Sequence, residues 1–210
     1  MNDTGVQAIL AKRQAVITNS HVVFKSGKHG TDYVNKDAIY PYVEDVMTIC
    51  REMARVIINE GIEVDVVVGP TVGGVILSQR VAQDIMETRS LEVLSVYADK
   101  AEGGEGRILK RGYDKLVVGK RCLIVDDVMT TGGSVKETIV AVKQAGGIVV
   151  AVIVICNRGG VTASDLGVEH FYALLNLDLQ AWPPAECPLC RDKVSVNIEV
   201  GHGKAFLEGR

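Results

Sequence analysis

The chain has 210 residues, 47% of them hydrophobic and 5% aromatic, with a formal net charge of −3. That length suits one domain with at most a small accessory part, and a core made of Val, Ile, Leu and Ala suits a buried parallel sheet. The acidic balance argues against a nucleic-acid partner, which would require a basic excess, but a small anionic ligand needs only local positive charge.

No apolar run approaches the roughly 18 residues of a membrane span. The longest, Ile148 to Cys156, is strand-sized. Met1 to Ile17 is polar and charged, unlike a secretory leader. Cys50, Cys122 and Cys156 lie in apolar segments and read as small core residues of a cytoplasmic protein.

In chain order, Val6 to Ile17 has an apolar helical pattern, and His21 to Lys25 and Asp32 to Asn35 are short strand candidates around Ser26-Gly27-Lys28-His29-Gly30. Glu44 to Asn59 reads as a helix with Val46, Ile49, Cys50, Met53, Val56 and Ile57 on one face, stopped by Gly61. Strands and helices then alternate: strand Val64–Val68, helix Val72–Met86, strand Leu91–Tyr97, strand Arg121–Val125, helix Ser134–Ala145, strand Ile148–Ile155 and strand Val168–Leu175. Such alternation with β-branched strands predicts an α/β fold, a mostly parallel sheet covered by helices. Asp99 to Lys120, polar and with five glycines, reads as a long functional loop.

The chemistry concentrates at Val125-Asp126-Asp127-Val128-Met129-Thr130-Thr131-Gly132-Gly133-Ser134. Two carboxylates follow a buried strand, at the sheet edge where α/β proteins place their ligands. A Thr-Thr-Gly-Gly-Ser turn then opens a helix, so that backbone N–H groups, hydroxyls and the helix N-terminus converge on an anion. A phosphate site alone would avoid adjacent acids; a sugar phosphate suits both, its phosphate in the cradle and its hydroxyls on Asp126 and Asp127. The Gly-Lys-Ser/Thr ending of a nucleotide P-loop is absent. Ser134 and Glu137 also have the spacing of a capping box. A second glycine turn, Gly69-Pro70-Thr71-Val72-Gly73-Gly74, follows the strand Val64–Val68 and offers backbone donors at the same edge.

The Asp126 to Ser134 segment resembles the signature of the type I phosphoribosyltransferases, which bind 5-phosphoribosyl 1-diphosphate (PRPP), over its whole length. The resemblance implies a Rossmann-like core from about 40 to 175, with a hood from about 1–40 and 176–210, in one domain. It implies Mg2+ carried mainly by PRPP, not by protein side chains, and displacement of pyrophosphate at the anomeric carbon. Asp126 and Asp127 would hold the ribose hydroxyls, Val128, Met129, Thr130, Thr131, Gly132, Gly133 and Ser134 the 5-phosphate region, and Thr71, Val72, Gly73 and Gly74 the pyrophosphate.

The fuller resemblance is to the orotate phosphoribosyltransferases, from Phe24 to about Cys190. It assigns Lys25 to PRPP, and Tyr33, Thr130 and Arg158 to the base, Arg158 pairing with the orotate carboxylate in a two-pronged fashion. It assigns a catalytic role to Asp126, Asp127 and Lys100, and implies a homodimer with shared sites. The sequence departs from that pattern at Asp99, where an arginine is expected, and at Gly73, where some members have lysine; no histidine follows Lys100 in the loop. Arg107, Lys110 and Arg111 could offset the three acids there, and Lys110-Arg111-Gly112-Tyr113 is either an anion clamp or a solvated strand end. A purine base such as adenine or xanthine, stacked on Tyr33 or Phe171, is the enzymatic alternative; a non-catalytic PRPP-binding regulator is the other. Cys187 and Cys190 offer half the ligands of a zinc site, with His202 the nearest further candidate, or a redox pair; a single Cys-x-x-Cys is weak evidence for either, and a tail turn stabilised by Pro188 is the favoured reading.

Overall fold

The computed structural model describes residues 4–24, 26–177 and 179–209. In chain order the elements are α1 (Thr4–Lys12), β1 (Val16–Ile17), β2 (Val22–Val23), β3 (His29–Gly30), β4 (Tyr33–Val34), α2 (Val43–Asn59), β5 (Val66–Pro70), α3 (Gly73–Arg89), β6 (Leu94–Lys100), β7 (Arg107–Ile108), α4 (Tyr113–Leu116), β8 (Arg121–Met129), α5 (Gly133–Gln144), β9 (Ile148–Asn157), α6 (Ala163–Leu166), β10 (Phe171–Asn176), β11 (Ala181–Trp182), α7 (Pro188–Arg191) and α8 (Gly203–Glu208). They form two compact units, residues 43–177 and residues 1–42 with 178–210. Among the described residues, no helix is long and apolar enough to cross a membrane.

The larger unit is a mixed α/β layer structure around a six-stranded sheet in the order β10-β9-β8-β5-β6-β7. All neighbours are parallel except β7, which returns antiparallel to β6. The central strands are valine- and isoleucine-rich because both faces are covered. Val66, Val68, Ile124, Val152 and Val154 join Val135, Ile139 and Val142 of α5 in one cluster, while α2 and α3 pack together and contact strands of the same sheet. Burying each such side chain stabilises the fold by about 1.5–3 kcal/mol.

Helix α2 buries Val46, Ile49, Cys50, Met53 and Ile57, as the spacing predicts; Ala54 joins them, while Val56, expected on the same face, is only partly buried. Gly61, at φ +70°, ends it: the Ile62 N–H reaches the Ile57 carbonyl and the Gly61 N–H the Ile58 carbonyl, which satisfies two otherwise orphaned acceptors. Burial pushes the thiols of Cys50 and Cys122 up to about 12 and that of Cys156 to about 11, so all three behave as inert core residues.

The smaller unit contains a two-stranded β1-β4 sheet and a three-stranded β11-β3-β2 sheet. Here the N-terminal expectation needs correction. The helix stops at Lys12 instead of running to Ile17, because Gln14 adopts φ +50° and Val16–Ile17 pairs antiparallel with Tyr33–Val34. His29–Gly30, expected as connection, is a strand between β2 and β11.

Candidate active site

Sheet order decides where the functional loops meet. After β5 the chain crosses to β6 on one side; it later returns to β8 on the other side of β5. The carboxyl ends of β5 and β8 therefore flank the switch point, where an open α/β sheet leaves a crevice. The glycine turn 69–74 leaves β5, and the segment 126–134 leaves β8.

Strand β8 runs four residues further than its apolar pattern suggests. Asp126 pairs with Val154, Val128 with Cys156 and Met129 with Asn157 of β9, so both acids lie inside the ladder. Asp126 is 8% exposed and Asp127 4%. Each is oriented by the next residue: the Asp127 N–H donates to Asp126 Oδ1 at 2.9 Å and the Val128 N–H to Asp127 Oδ1 at 2.6 Å. Met129 turns its side chain into the core, so only its backbone is available to a ligand.

Gly132, at φ +74°, is the residue before helix α5 and lets the chain turn into it. No side chain caps α5, so its first N–H groups point outward without intrahelical acceptors, the arrangement that favours an anion. Ser134 and Glu137 have the spacing of a capping box but do not form one, since Gly132 is the residue that precedes the helix. Both side chains instead face Arg107: its Nη2 donates to Ser134 Oγ at 3.3 Å, and its Nε lies 3.7 Å from Glu137.

Arg107 joins the two loops. Its side chain is 4% exposed. Nη1 donates to the Ala98 carbonyl at 3.0 Å and to Thr71 Oγ1 at 3.2 Å, and Nη2 donates to the Thr71 carbonyl at 3.3 Å. One guanidinium thus holds the turn after β5 and the first residues of α5 together. The Thr71 turn is tight in its own right: a Cβ on Gly69 would lie 2.0 Å from the Gly74 carbonyl oxygen. Val72 is 81% exposed and offers backbone there.

Arg158, following β9, docks on the same rim. Its N–H donates to the Met129 carbonyl at 2.9 Å and its Nε to Thr130 Oγ1 at 2.7 Å. Gly159 permits this, since a Cβ would sit 1.6 Å from the Thr130 carbonyl oxygen. Asn157 closes the turn by bonding both the N–H and the carbonyl of Val161. Thus Asp126 to Ser134, Thr71 to Gly74, Arg107 and Arg158 converge at one sheet edge.

A family model described as the phosphoribosyl transferase domain matches residues 42–183. The chain belongs to the phosphoribosyltransferase family. It is 37% identical to an orotate phosphoribosyltransferase of Thermotoga maritima over 189 residues, 90% of this chain and 94% of that one. It is 36% identical to one of Caldicellulosiruptor bescii over 180 residues, 86% of this chain and 88% of that one. Its fold is similar to crystal structures of the Mycobacterium tuberculosis H37Rv orotate phosphoribosyltransferase. With Fe(III) dicitrate bound, that structure gives a TM-score of 0.64 at 22% identity, covering 82% of this chain and 96% of that one. With PRPP bound, it gives a TM-score of 0.61 at 22% identity with the same coverage.

The region 99–120, whose polarity and glycines predict a long loop, is instead partly regular structure. Strand β6 continues to Lys100, and Asp99 pairs with Ile108 and Lys100 with Arg107 in a hairpin. Tyr113–Leu116 is helical. Two of the three acids there carry counterions: Asp99 pairs with Arg111, and Glu102 lies 3.4 Å from Lys110. Lys110 and Arg111 are therefore engaged with hairpin carboxylates. Lys100 ends β6, exposed, opposite Arg107; it is Arg107 that bonds both functional loops. Sequence reasoning noted Arg107 only as a compensating charge, since a lone arginine in a polar stretch has no motif.

Tyr33 lies on β4 of the smaller unit, partly buried and opposite Ile17. Lys25 lies outside the described residues. Phe171, the alternative stacking residue, packs against the core beside β9.

Proposed function

We propose that this chain is an orotate phosphoribosyltransferase of pyrimidine nucleotide biosynthesis, converting PRPP and orotate to orotidine 5′-phosphate and pyrophosphate. The observation that carries this reading is the junction of Asp126, Asp127 and the α5 N-terminus with Arg158 on one rim. The first part suits a phosphorylated ribose. The second supplies a planar cation for a carboxylated base, and relatives at 36–37% identity bear the orotate enzyme's name.

In the reaction the bond from C1′ to the pyrophosphate oxygen breaks, and the electron pair leaves with pyrophosphate. The bond from C1′ to the base nitrogen forms, and that nitrogen's proton passes to solvent. The protein's work is orientation and electrostatics, not proton transfer. The α5 N–H groups and the hydroxyls of Thr130, Thr131 and Ser134 hold the 5-phosphate. The backbone of Thr71 to Gly74 receives pyrophosphate, with Lys100 adding positive charge. Asp126 and Asp127 accept from the ribose hydroxyls, and their field favours the cationic sugar of the transition state. Lys25 is assigned to PRPP and Tyr33 to the base from their sequence segments alone.

The hard carboxylate oxygens of Asp126 and Asp127, oriented by backbone N–H groups, would suit the water shell of a magnesium ion carried mainly by PRPP. When bound, Mg2+ would neutralise the departing pyrophosphate. The same reading makes the enzyme a cytoplasmic homodimer. It is tested by following the ultraviolet absorbance of orotate with PRPP and Mg2+. Loss of the band that returns on adding excess pyrophosphate supports the proposal; an unchanged band at high enzyme concentration refutes it.

A further inference from the structure

The smaller unit holds four side chains for which phosphoribosyl transfer has no use. His21 and His29 are 2% and 0% exposed, Cys187 is 2% exposed, and Cys190 is partly buried. His21 precedes β2 and His29 lies on β3, which pairs with β2. Strand β11 also pairs with β3 and leads to α7, where Cys187 is the residue before the helix and Cys190 lies within it. One donor atom from each of the four falls within 4.8 Å of every other. Sequence spacing had pointed to His202 as the partner of the cysteines. Its ring is instead exposed outside this cluster, and its backbone N–H bonds the Val23 carbonyl.

The distances have the scale of a tetrahedral site. With zinc about 2.0–2.1 Å from nitrogen and about 2.3 Å from sulfur, the edges are about 3.3 Å for N···N, about 3.6 Å for N···S and about 3.8 Å for S···S. Here His21 Nε2 lies 3.7 Å from both sulfurs, and His29 Nδ1 lies 3.3 Å from Cys190 Sγ. The two imidazole nitrogens are 2.8 Å apart, so an ion would part the rings by about 0.5 Å. A proton shared by the rings would account for that one pair. It gives no reason for two thiols, more than 150 residues away in sequence, to converge on the same nitrogens.

The surroundings agree. His21 Nδ1 lies 2.7 Å from the Val194 carbonyl, which can only accept, so Nδ1 carries the proton and Nε2 turns its lone pair into the cluster. That carbonyl bond is the outer support by which metal-bound histidines are held. The Phe206 ring packs edge-on to His29 at 4.8 Å. No disulfide joins Cys187 and Cys190.

We propose that His21, His29, Cys187 and Cys190 form a structural zinc site that ties the N-terminal hairpin to the C-terminal tail. Two nitrogen and two sulfur ligands in a tetrahedral set select zinc, and four protein ligands leave no position open for catalysis. The role follows from the unit's construction: it has about 75 residues, and units this small commonly need a staple. All its strands are two residues long.

The test is the metal content of tag-free protein purified without chelator. One zinc per chain is expected. The double variant Cys187→Ser/Cys190→Ser should lose it, and His202→Ala should keep it in full. Because the double variant could unfold, the wild-type protein is also stripped and titrated with cobalt. Tetrahedral d–d bands with thiolate-to-cobalt charge transfer support the site. Zinc-poor wild-type protein without those bands, zinc retained by the double variant, or a native Cys187–Cys190 disulfide found by mass spectrometry would each overturn it.

Discussion

Replacing Arg107 separates the joining of the loops from the charge of the site. Its guanidinium makes four hydrogen bonds of 3.0–3.3 Å, to the Ala98 and Thr71 carbonyls and to the hydroxyls of Thr71 and Ser134. A hydrogen bond to a charged group contributes about 1.5–3 kcal/mol net. These four share one group whose desolvation offsets part of the gain, so removing all of them costs about 2–4 kcal/mol. Lysine keeps the positive charge, but its single ammonium cannot span Thr71 and Ser134 as the planar fork does. Arg107→Lys should therefore lose about 2–3 kcal/mol of transition-state stabilisation, about 30- to 150-fold in kcat/KM for PRPP. Arg107→Met should show the same kinetic loss and also a melting temperature lower by about 4–16 °C. Steady-state kinetics with both substrates varied, alongside thermal melts, measures each. Wild-type kcat/KM in Arg107→Lys would refute the idea that one guanidinium sets the two loops in register.

Asn at both Asp126 and Asp127 preserves the Oδ1 acceptors for the Asp127 and Val128 N–H groups; the double variant should melt like the wild type while losing turnover by at least about 10²–10³-fold. Arg158→Ala should raise KM for orotate by about 10- to 150-fold, with a smaller change in KM for PRPP; equal changes in both would contradict its assignment to the base. The core cysteines give a pH prediction. Burial raises their thiols from 9.0 to about 12 for Cys50 and Cys122 and about 11 for Cys156, so the folded state holds these protons more tightly. Stability from this source is complete below pH 9 and declines as pH rises towards 11–12, and urea midpoints measured across that range should fall accordingly.

Much of the fold was readable because its cause is local. The short, β-branched run Ile148 to Cys156 favours a strand, and it is covered from Ala151 onward, while the α2 face shows the helical period of its buried residues. Asp126 to Ser134 was legible because its chemistry is contiguous. What escaped was set by pairing. Beyond Val125 the apolar pattern stops, yet β8 goes on because Val154 to Asn157 of β9 offers it a partner. The Asp99–Lys120 glycines and acids read as loop because the β6-β7 hairpin draws its order from Asp99–Ile108 and Lys100–Arg107 pairing. His21 and His29, eight residues apart, match no metal spacing until β2 and β3 bring them together beside α7.

The most direct measurement of the central claim is pyrophosphate release by the purified chain with PRPP, Mg2+ and each of orotate, uracil, adenine, hypoxanthine and xanthine in turn. Release with orotate alone is the predicted result. Release with a purine and none with orotate would contradict the role given to Arg158, and PRPP binding without release for any base would contradict the enzyme itself.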